Sequence, residues 1–267
     1  MYQFAKLCCF LRQYVFLPYA QAMASGSKRP KENTVESFTL AQRLGASWIE
    51  TDVQFTRDGV PVIEHDFEVQ TTDGDVIDLR ELSLCELEEV KGEVLQLDDA
   101  LDRSPEGLAF NLELKYRPDV PPSATALEGE IETLLNVAEQ QIKKRRIAYS
   151  SFAQEPLAVL SRMQAMWPVF ALASRAGGGA ESVENALDSA KRNGLSGIVG
   201  NVRMLQAEPS LVSMIKAEGL LLMSYGEANT DPSVLPEQVR WGVCGVITDD
   251  VPIVEEVSRK LAPPLKK

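Results

Sequence analysis

Histidine is nearly absent from this chain of 267 residues, which contains a single one, His65. Zinc sites built from several histidines, and mechanisms that need two imidazoles from the same chain, are therefore excluded. Cysteine is also scarce. The four cysteines, Cys8, Cys9, Cys85 and Cys244, are too few and too irregularly spaced for a disulfide framework or a paired-cysteine metal site. We expect reduced, mostly structural thiols.

Positive charge is in short supply as well, because 27 lysines and arginines face 39 aspartates and glutamates, giving a net charge of -12. Such a chain repels a polyphosphate backbone, so we expect no nucleic-acid partner. A membrane span needs ~20 consecutive apolar residues. The apolar stretch at residues 7–17 is too short and is interrupted by Arg12 and Gln13. A transmembrane span is therefore not expected.

The start of the chain has no acidic residue before Glu32. Five lysines and arginines lie in that stretch. This shift predicts a boundary near residue 26, with an atypical segment at 1–25, a domain over 26–262 and a tail at 263–267. Three interpretations of the first segment stay open: an element packed on the domain, an organelle-targeting peptide, or a membrane-surface anchor through its two cysteines. The acidic remainder favours a cytoplasmic location.

A helix and a β-hairpin are predicted at the start of the domain. Asn33 and Glu36 have the spacing of a capping box, so a helix should begin there and end near Gly45. Residues 48–55 alternate in polarity, as a half-buried strand does. A tight turn and an apolar run follow, which makes residues 48–66 a β-hairpin.

Strands alternate with helices along the rest of the chain, which is typical of a parallel sheet. This repetition, at this length, favours a (β/α)8 barrel of the TIM type over an open doubly wound sheet. The return strand of the hairpin runs antiparallel, so the parallel strands number only seven. Either residues 7–17 supply the missing first strand or the barrel is incomplete. The later predicted strands are 108–114, 147–150, 169–173, 197–200, 220–224 and 243–248, and the main helices are 124–143, 156–166, 182–193, 210–218 and 251–261.

Carboxylates lie on two neighbouring parallel strands, toward the carboxyl ends of the strands, where the active sites of barrels form. Glu50 and Asp52 lie two apart on one strand, and Glu113 lies on the next. Carboxylates held together raise one another's pKa unless a cation neutralises them. Hard oxygen ligands without clustered His or Cys select Mg²⁺ or Ca²⁺. The pattern therefore predicts a divalent-metal site, the alternative being an outward-facing polar strand face.

His65 and Lys115 stand beside this group of carboxylates. His65 follows the hairpin, and an imidazole with an ordinary pKa of ~6.5 suits a general acid or base, although a lone histidine is also commonly structural. Lys115 either meets an anionic oxygen of the substrate or pairs with Glu113. A metal, an ammonium and an imidazole together indicate phosphoester chemistry.

Ordered motifs between about residue 26 and residue 257 resemble those of the glycerophosphodiester phosphodiesterase family. Residues 224–229 and the Asp-Pro pair at 231–232 resemble the eukaryotic glycerophosphocholine phosphodiesterase branch. The motifs are Glu32-Asn-Thr-Val-Glu-Ser-Phe, Glu50-Thr-Asp-Val-Gln, Asp58-Gly-Val-Pro-Val-Ile-Glu-His65-Asp66, Glu113-Leu-Lys115, Ser150-Ser-Phe152 and Gly245-Val-Ile-Thr-Asp249-Asp.

The resemblance implies a barrel of the phospholipase C-like phosphodiesterase kind that hydrolyses glycerophosphodiesters, such as glycerophosphocholine. The products would be glycerol 3-phosphate and an alcohol, and the cofactor a divalent cation, Mg²⁺ or Ca²⁺. Glu50, Asp52 and Glu113 are then assigned to the metal. His65 is assigned to acid–base catalysis and Lys115 to the substrate phosphate.

One departure from the family pattern bears on activity. The family begins with a strand ending in His-Arg-Gly, whose histidine is a second acid–base group, and no such motif precedes Glu32. Losing one acid–base group costs ~10² to 10⁴-fold in rate, so reduced activity is expected. The alternatives are a catalytically silent relative that binds glycerophosphodiesters, a truncated isoform or misassigned start, and, more weakly, a phosphatidylinositol-cleaving phospholipase.

Overall fold

The computed structural model describes residues 14–16, 30–71, 73–117, 119–164, 166–175 and 181–261. Its strands are β1 Tyr14–Phe16, β2 Trp48–Phe55, β3 Pro61–Ile63, β4 Glu68–Gln70, β5 Val76–Asp78, β6 Ala109–Leu114, β7 Ile147–Ser151, β8 Val169–Ala173, β9 Gly197–Asn201, β10 Leu221–Tyr225 and β11 Gly245–Ile247. Its helices are α1 Val35–Arg43, α2 Leu84–Lys91, α3 Leu97–Arg103, α4 Ala124–Gln140, α5 Gln154–Met163, α6 Val183–Asn193, α7 Val202–Ala207, α8 Ser210–Ala217, α9 Leu235–Trp241 and α10 Val251–Leu261.

One curled sheet runs in the order β1-β11-β10-β9-β8-β7-β6-β2-β3, and eight of these strands are parallel. The ninth, β3, pairs antiparallel with β2, which confirms the hairpin. β1 pairs with β11, Tyr14 opposite Gly245, and also contacts β2. The N-terminal apolar segment therefore supplies the eighth parallel strand. The predicted (β/α)8 barrel is confirmed, with all eight parallel strands present.

Parts of the N-terminal predictions lie outside the described residues. These are positions 1–13 and 17–29, which include Cys8, Cys9 and the boundary expected near residue 26. Elsewhere, no described helix combines the length and the apolar character that a bilayer crossing requires.

The predicted start of α1 was wrong by one position. Thr34, not Asn33, caps the helix, because its side chain accepts a hydrogen bond from the Ser37 main-chain nitrogen. The Ser37 hydroxyl completes the capping box with the Thr34 main-chain nitrogen at 3.2 Å. The short elements β4, β5, α2, α3, α7 and α9 were not predicted, since none exceeds eight residues and periodicity needs length.

Apolar side chains fill the barrel interior, most of them toward the amino ends of its strands. Small residues on β6 and β7 lie beside large ones on β2 and β8, so the layer packs without a pore. Gly197 is required here, because a Cβ on it would lie 2.2 Å from the Leu221 carbonyl oxygen of β10. Polar groups are thereby confined to the opposite end. The buried members of this layer are Trp48, Ala109, Ala148, Phe170, Leu172, Val199, Met223 and Ile247.

An insertion between β3 and β6 covers one side of the barrel. It contains β4, β5, α2 and α3, and a buried ion pair between Arg80 and Glu130 joins it to α4. The Tyr116 hydroxyl donates to the other oxygen of Glu130 at 2.8 Å, and the Arg80 guanidinium lies 5.2 Å from the Tyr116 ring centroid. This cluster holds the insertion, and with it the approach to the barrel mouth, against the end of β6.

Removing Glu130 should destabilise the protein far more than removing Glu218, which forms an exposed ion pair with Lys191. Glu130→Ala leaves the partly buried Arg80 charge without its carboxylate partner, which costs about 3–5 kcal/mol in the free energy of unfolding. Glu218→Ala breaks the exposed pair with Lys191 and should cost less than about 1 kcal/mol. Urea unfolding of both variants measures the difference. Equal losses would contradict a stabilising role for the buried cluster.

Candidate active site

Three carboxylates converge inside the barrel at the carboxyl ends of β2 and β6. The strands pair in parallel, with Glu50 opposite Asn111 and Asp52 opposite Glu113. Glu50, Asp52 and Glu113 each offer one carboxylate oxygen, and these atoms lie within 4.8 Å of one another. The strand face that carries them is buried, so the outward-facing alternative does not hold.

Burial raises the pKa of all three carboxyl groups, and repulsion by neighbouring carboxylates adds to it at Glu50 and Glu113. Burial and the Asp52 carboxylate raise the pKa of Glu113 to about 8. The pKa of Glu50 rises well above its ordinary value for the same causes, and burial also raises that of Asp52. Glu50 Oε1 is buried without a hydrogen-bond partner in the described part of the chain. The group therefore lacks positive charge, which a bound cation would supply.

Lys115 is the cation that the structure places beside this group. Its Nζ lies 3.6 Å from Asp52 Oδ1 and 3.7 Å from Glu113 Oε1, and 5.6 Å from the ring centroid of Phe67. Burial lowers the pKa of Lys115, but the carboxylates of Glu113 and Asp52 outweigh it, so the pKa is raised overall. Lys115 therefore stays an ammonium. It pairs with Glu113 and also lines the cavity described next.

His65 and the carboxylates line one cavity of about 350 Å³. The imidazole follows β3, its side chain is 41% exposed, and its Nδ1 lies 2.9 Å from Asp66 Oδ1. The structure thus brings together all five residues that the sequence singled out. An imidazole, an ammonium and three carboxylates at one cavity can bind a cation and a phosphate and can move a proton.

Further residues of the cavity were given no role by the sequence patterns. The rings of Phe152 and Tyr225 meet edge to face, with centroids 6.1 Å apart. Burial and the Glu227 carboxylate raise the pKa of Asp249 to about 6. All of them follow or end barrel strands. The rule that barrel sites form at the carboxyl ends of strands would therefore have found them.

Asn33 takes part in the site instead of capping the helix. It accepts a hydrogen bond from Thr51 Oγ1 at 2.8 Å, and its Nδ2 approaches Asp52 Oδ2 at 3.5 Å. Its φ of 54° lies in the left-handed region, which asparagine tolerates better than most residues. This amide helps to lower the pKa of Asp52 against the effect of burial. Asn33 therefore orients a candidate metal ligand.

The fold and the site together define an α/β barrel with an acidic, oxygen-donor site at the carboxyl ends of its strands. Residues 24–252 match the model of the glycerophosphoryl diester phosphodiesterase family. The chain belongs to this family, whose members are hydrolases.

Curated relatives agree with the family assignment. The chain is 30% identical over 271 residues to glycerophosphodiester phosphodiesterase GDPD3 of Arabidopsis thaliana, covering 87% of this chain and 72% of that protein. It is 31% identical to the chloroplastic GDPD1 of the same plant, covering 88% and 75%. Glycerophosphocholine phosphodiesterase GDE1 of Eremothecium gossypii is 28% identical over 82% of this chain, which spans only 24% of that longer protein.

Solved structures share the fold. A phosphodiesterase from Oleispira antarctica, in complex with the product sn-glycerol-3-phosphate, superposes with a TM-score of 0.73 at 22% identity, covering 94% of this chain and 98% of that one. A glycerophosphodiester phosphodiesterase from Parabacteroides distasonis gives the same TM-score at 19% identity, covering 94% and 99%.

The metal-free protein should lose stability as the pH rises toward 8. The pKa of Glu113 is about 8 in the folded chain, against an ordinary 4.5. Between these two pKa values the folded state therefore binds more protons than the unfolded state. The stability that this proton contributes is fully present below pH 4.5 and is lost as the pH rises to about 8. Glu113→Gln removes the ionisable group and should flatten this dependence.

Urea unfolding in chelator, from about pH 5 to about pH 8, measures this effect. Glu132→Gln, on the exposed face of α4, should keep the slope of the unmodified chain. A slope that persists unchanged in Glu113→Gln would contradict the expectation.

Removing the Asn33 side chain should weaken cation binding. Asn33→Gly keeps the left-handed backbone but loses the contact with Asp52, and such supporting contacts are worth about 10- to 100-fold in metal affinity. Isothermal titration with Mg²⁺ and Ca²⁺ measures the change. Asn193→Ala removes an amide that bonds Ser189 on α6, outside the site, and should leave the affinity unchanged. Equal affinity in Asn33→Gly and the parent chain would refute the orienting role.

Proposed function

We propose that this chain hydrolyses glycerophosphodiesters, such as glycerophosphocholine, to glycerol 3-phosphate and an alcohol with the help of Mg²⁺ or Ca²⁺. The observation that carries the proposal is the convergence of Glu50, Asp52 and Glu113, with ligand atoms within 4.8 Å of one another, beside Lys115 and His65. The names of the relatives, and the product bound in the Oleispira structure, support this substrate class.

The residues present fit a divalent cation. When all three carboxyl groups are ionised, they and the ammonium leave two negative charges, which a dication balances, and Glu50 Oε1 lacks a hydrogen-bond partner among the described residues. Oxygen donors of this kind suit Mg²⁺ and Ca²⁺ alike. When bound, the cation supplies positive charge for the phosphoryl group.

Lys115 and His65 supply the remaining chemistry. The Lys115 ammonium offers a second positive charge to a non-bridging phosphate oxygen of the substrate. Water provides the new oxygen on phosphorus and releases a proton, while the bond from phosphorus to the alcohol oxygen breaks. His65 gives a proton to that departing oxygen and so acts as the general acid.

A catalytically silent relative that binds glycerophosphodiesters is the second candidate. The observation that favours it is the single imidazole of the chain, where the family pattern has two. Such a protein would bind the cation and the diester without releasing product. The compartment in which the chain works stays a prediction.

Release of glycerol 3-phosphate from glycerophosphocholine tests the proposal, with Mg²⁺, Ca²⁺ or chelator. Turnover should require the cation and should be abolished in Glu113→Ala. His65→Ala should lower kcat by ~10² to 10⁴-fold, because it removes the proton donor. Glu132→Ala is the matched control and should match the parent chain. A folded chain that binds the cation and the diester without turnover would establish the silent relative instead.

A further inference from the structure

Gln54 is the third polar residue on the strand face that carries Glu50 and Asp52, and the site described above does not use it. Side chains two apart on a strand point the same way, so Gln54 lies at the carboxyl end of β2, nearest the barrel mouth. It is fully buried, with 0% of its surface exposed. It does not line the cavity that holds the carboxylates and His65.

The Gln54 amide bonds the main chain on both sides of His65. Its Nε2 donates to the carbonyl oxygens of Glu64 and Asp66, each at 2.9 Å. Both partners are acceptors only, so the amide nitrogen must face them and both of its hydrogens are used. The two bonds therefore span the α-carbon of His65.

Main-chain hydrogen bonds flank the segment that carries His65. β3 ends before it, so its main chain leaves the strand ladder. The Glu64 nitrogen donates to the Asp52 carbonyl oxygen at 3.2 Å, and the Phe67 carbonyl oxygen accepts from Leu79 at 2.8 Å. Neither bond involves the peptide groups that Gln54 holds through their oxygens. The amide thus replaces the missing strand pairing at the histidine.

The contact with Asp66 cannot fix the imidazole by itself. The Asp66 side chain is 75% exposed, and exposed ion pairs contribute little to holding a geometry. The orientation of the ring depends as well on where the main chain of this segment lies. A displacement of ~1 Å at a reacting group costs about 10²-fold in rate.

A purely structural residue at position 54 would not need an amide. Leucine or methionine fills a similar volume, whereas glutamine buries Oε1 without a hydrogen-bond partner in the described structure, which is unfavourable. What glutamine adds is its two donors. We propose that Gln54 is the positioning residue for His65, clamping the main chain so that the imidazole faces the cavity; this rests on the proposed acid–base role of His65.

Gln54→Met tests the proposal, because it keeps the shape of the side chain and removes both donors. It should lower kcat for glycerophosphocholine by ~10- to 100-fold, with KM and cation affinity within about twofold of the parent values. Gln141→Met is the matched control. Gln141 is also buried, donates to Asp102 at 2.8 Å and has an unpartnered Oε1 in the described region, but its amide donates to that side chain and not to the segment that carries His65. A loss confined to KM, or an equal loss in the control, would overturn the proposal.

The combination with His65→Ala separates positioning from general loss of structure. Without the imidazole there is nothing to position, so Gln54→Met should cost no further activity in that background. A further loss of about the same factor as in the parent chain would show a structural role only and would overturn the proposal.

The single histidine of the chain gives a readout that needs no turnover. In an untagged chain with labelled histidine, the imidazole NMR signals come from His65 alone. They should shift or broaden in Gln54→Met and stay unchanged in Gln141→Met. Unchanged signals in Gln54→Met would overturn the positioning role. Absence of turnover in the parent chain would instead remove the proposed function and leave this test intact.

Gln54→Asn serves as a second variant if methionine lowers the yield of folded protein. It keeps a polar amide but shortens the side chain by one carbon, so it should fail to reach both carbonyl oxygens. The same change in the imidazole signals is expected. Parent-like signals and parent-like kcat in this variant would contradict the clamp.

Discussion

Repulsion among three buried carboxylates is the constraint on which the rest of the site depends. The parallel register of β2 and β6 places Asp52 opposite Glu113, and the two-residue repeat adds Glu50 on the same face. Burial raises all three pKa values, and the neighbouring carboxylates raise those of Glu50 and Glu113 further. The neighbouring groups oppose this. The ammonium of Lys115 lies near the carboxylates of Asp52 and Glu113, and the amide of Asn33 approaches the other oxygen of Asp52.

The barrel interior explains why burial is the leading cause of these shifts. Below the carboxylates the barrel is filled by apolar side chains, among them Trp48, Phe170 and Met223. That layer excludes the water that would otherwise screen the charges. The packing that stabilises the barrel therefore makes the charged form of the site unfavourable. A bound cation would offset this cost, because it would balance the carboxylate charges without disturbing the apolar packing.

Regular alternation made the fold and the carboxylate group predictable. Residues 48–55 and the strand around Glu113 have clear periods and neighbour each other in a parallel sheet, so their facing side chains follow from the pattern. Asn33 was misassigned because Thr34 beside it caps the helix equally well in sequence terms. Its bond to Thr51 joins distant positions. Gln54 could be placed on its face, but its partners are main-chain carbonyls, which no side-chain pattern reveals.

The proposed cation binding and the proposed catalysis depend on different parts of this structure. Only the folded chain brings β2 and β6 together, so a cation that binds there stabilises the fold, by about 2.7 kcal/mol at a concentration 100 times its Kd. A catalytically silent relative that binds the cation would be stabilised by the same amount as an active enzyme. The distinction lies in the one imidazole, which stands on a segment outside the strand ladder. If His65 is the proton donor, as we propose, activity depends on how firmly the segment from Glu64 to Asp66 is held, and metal binding alone does not report it.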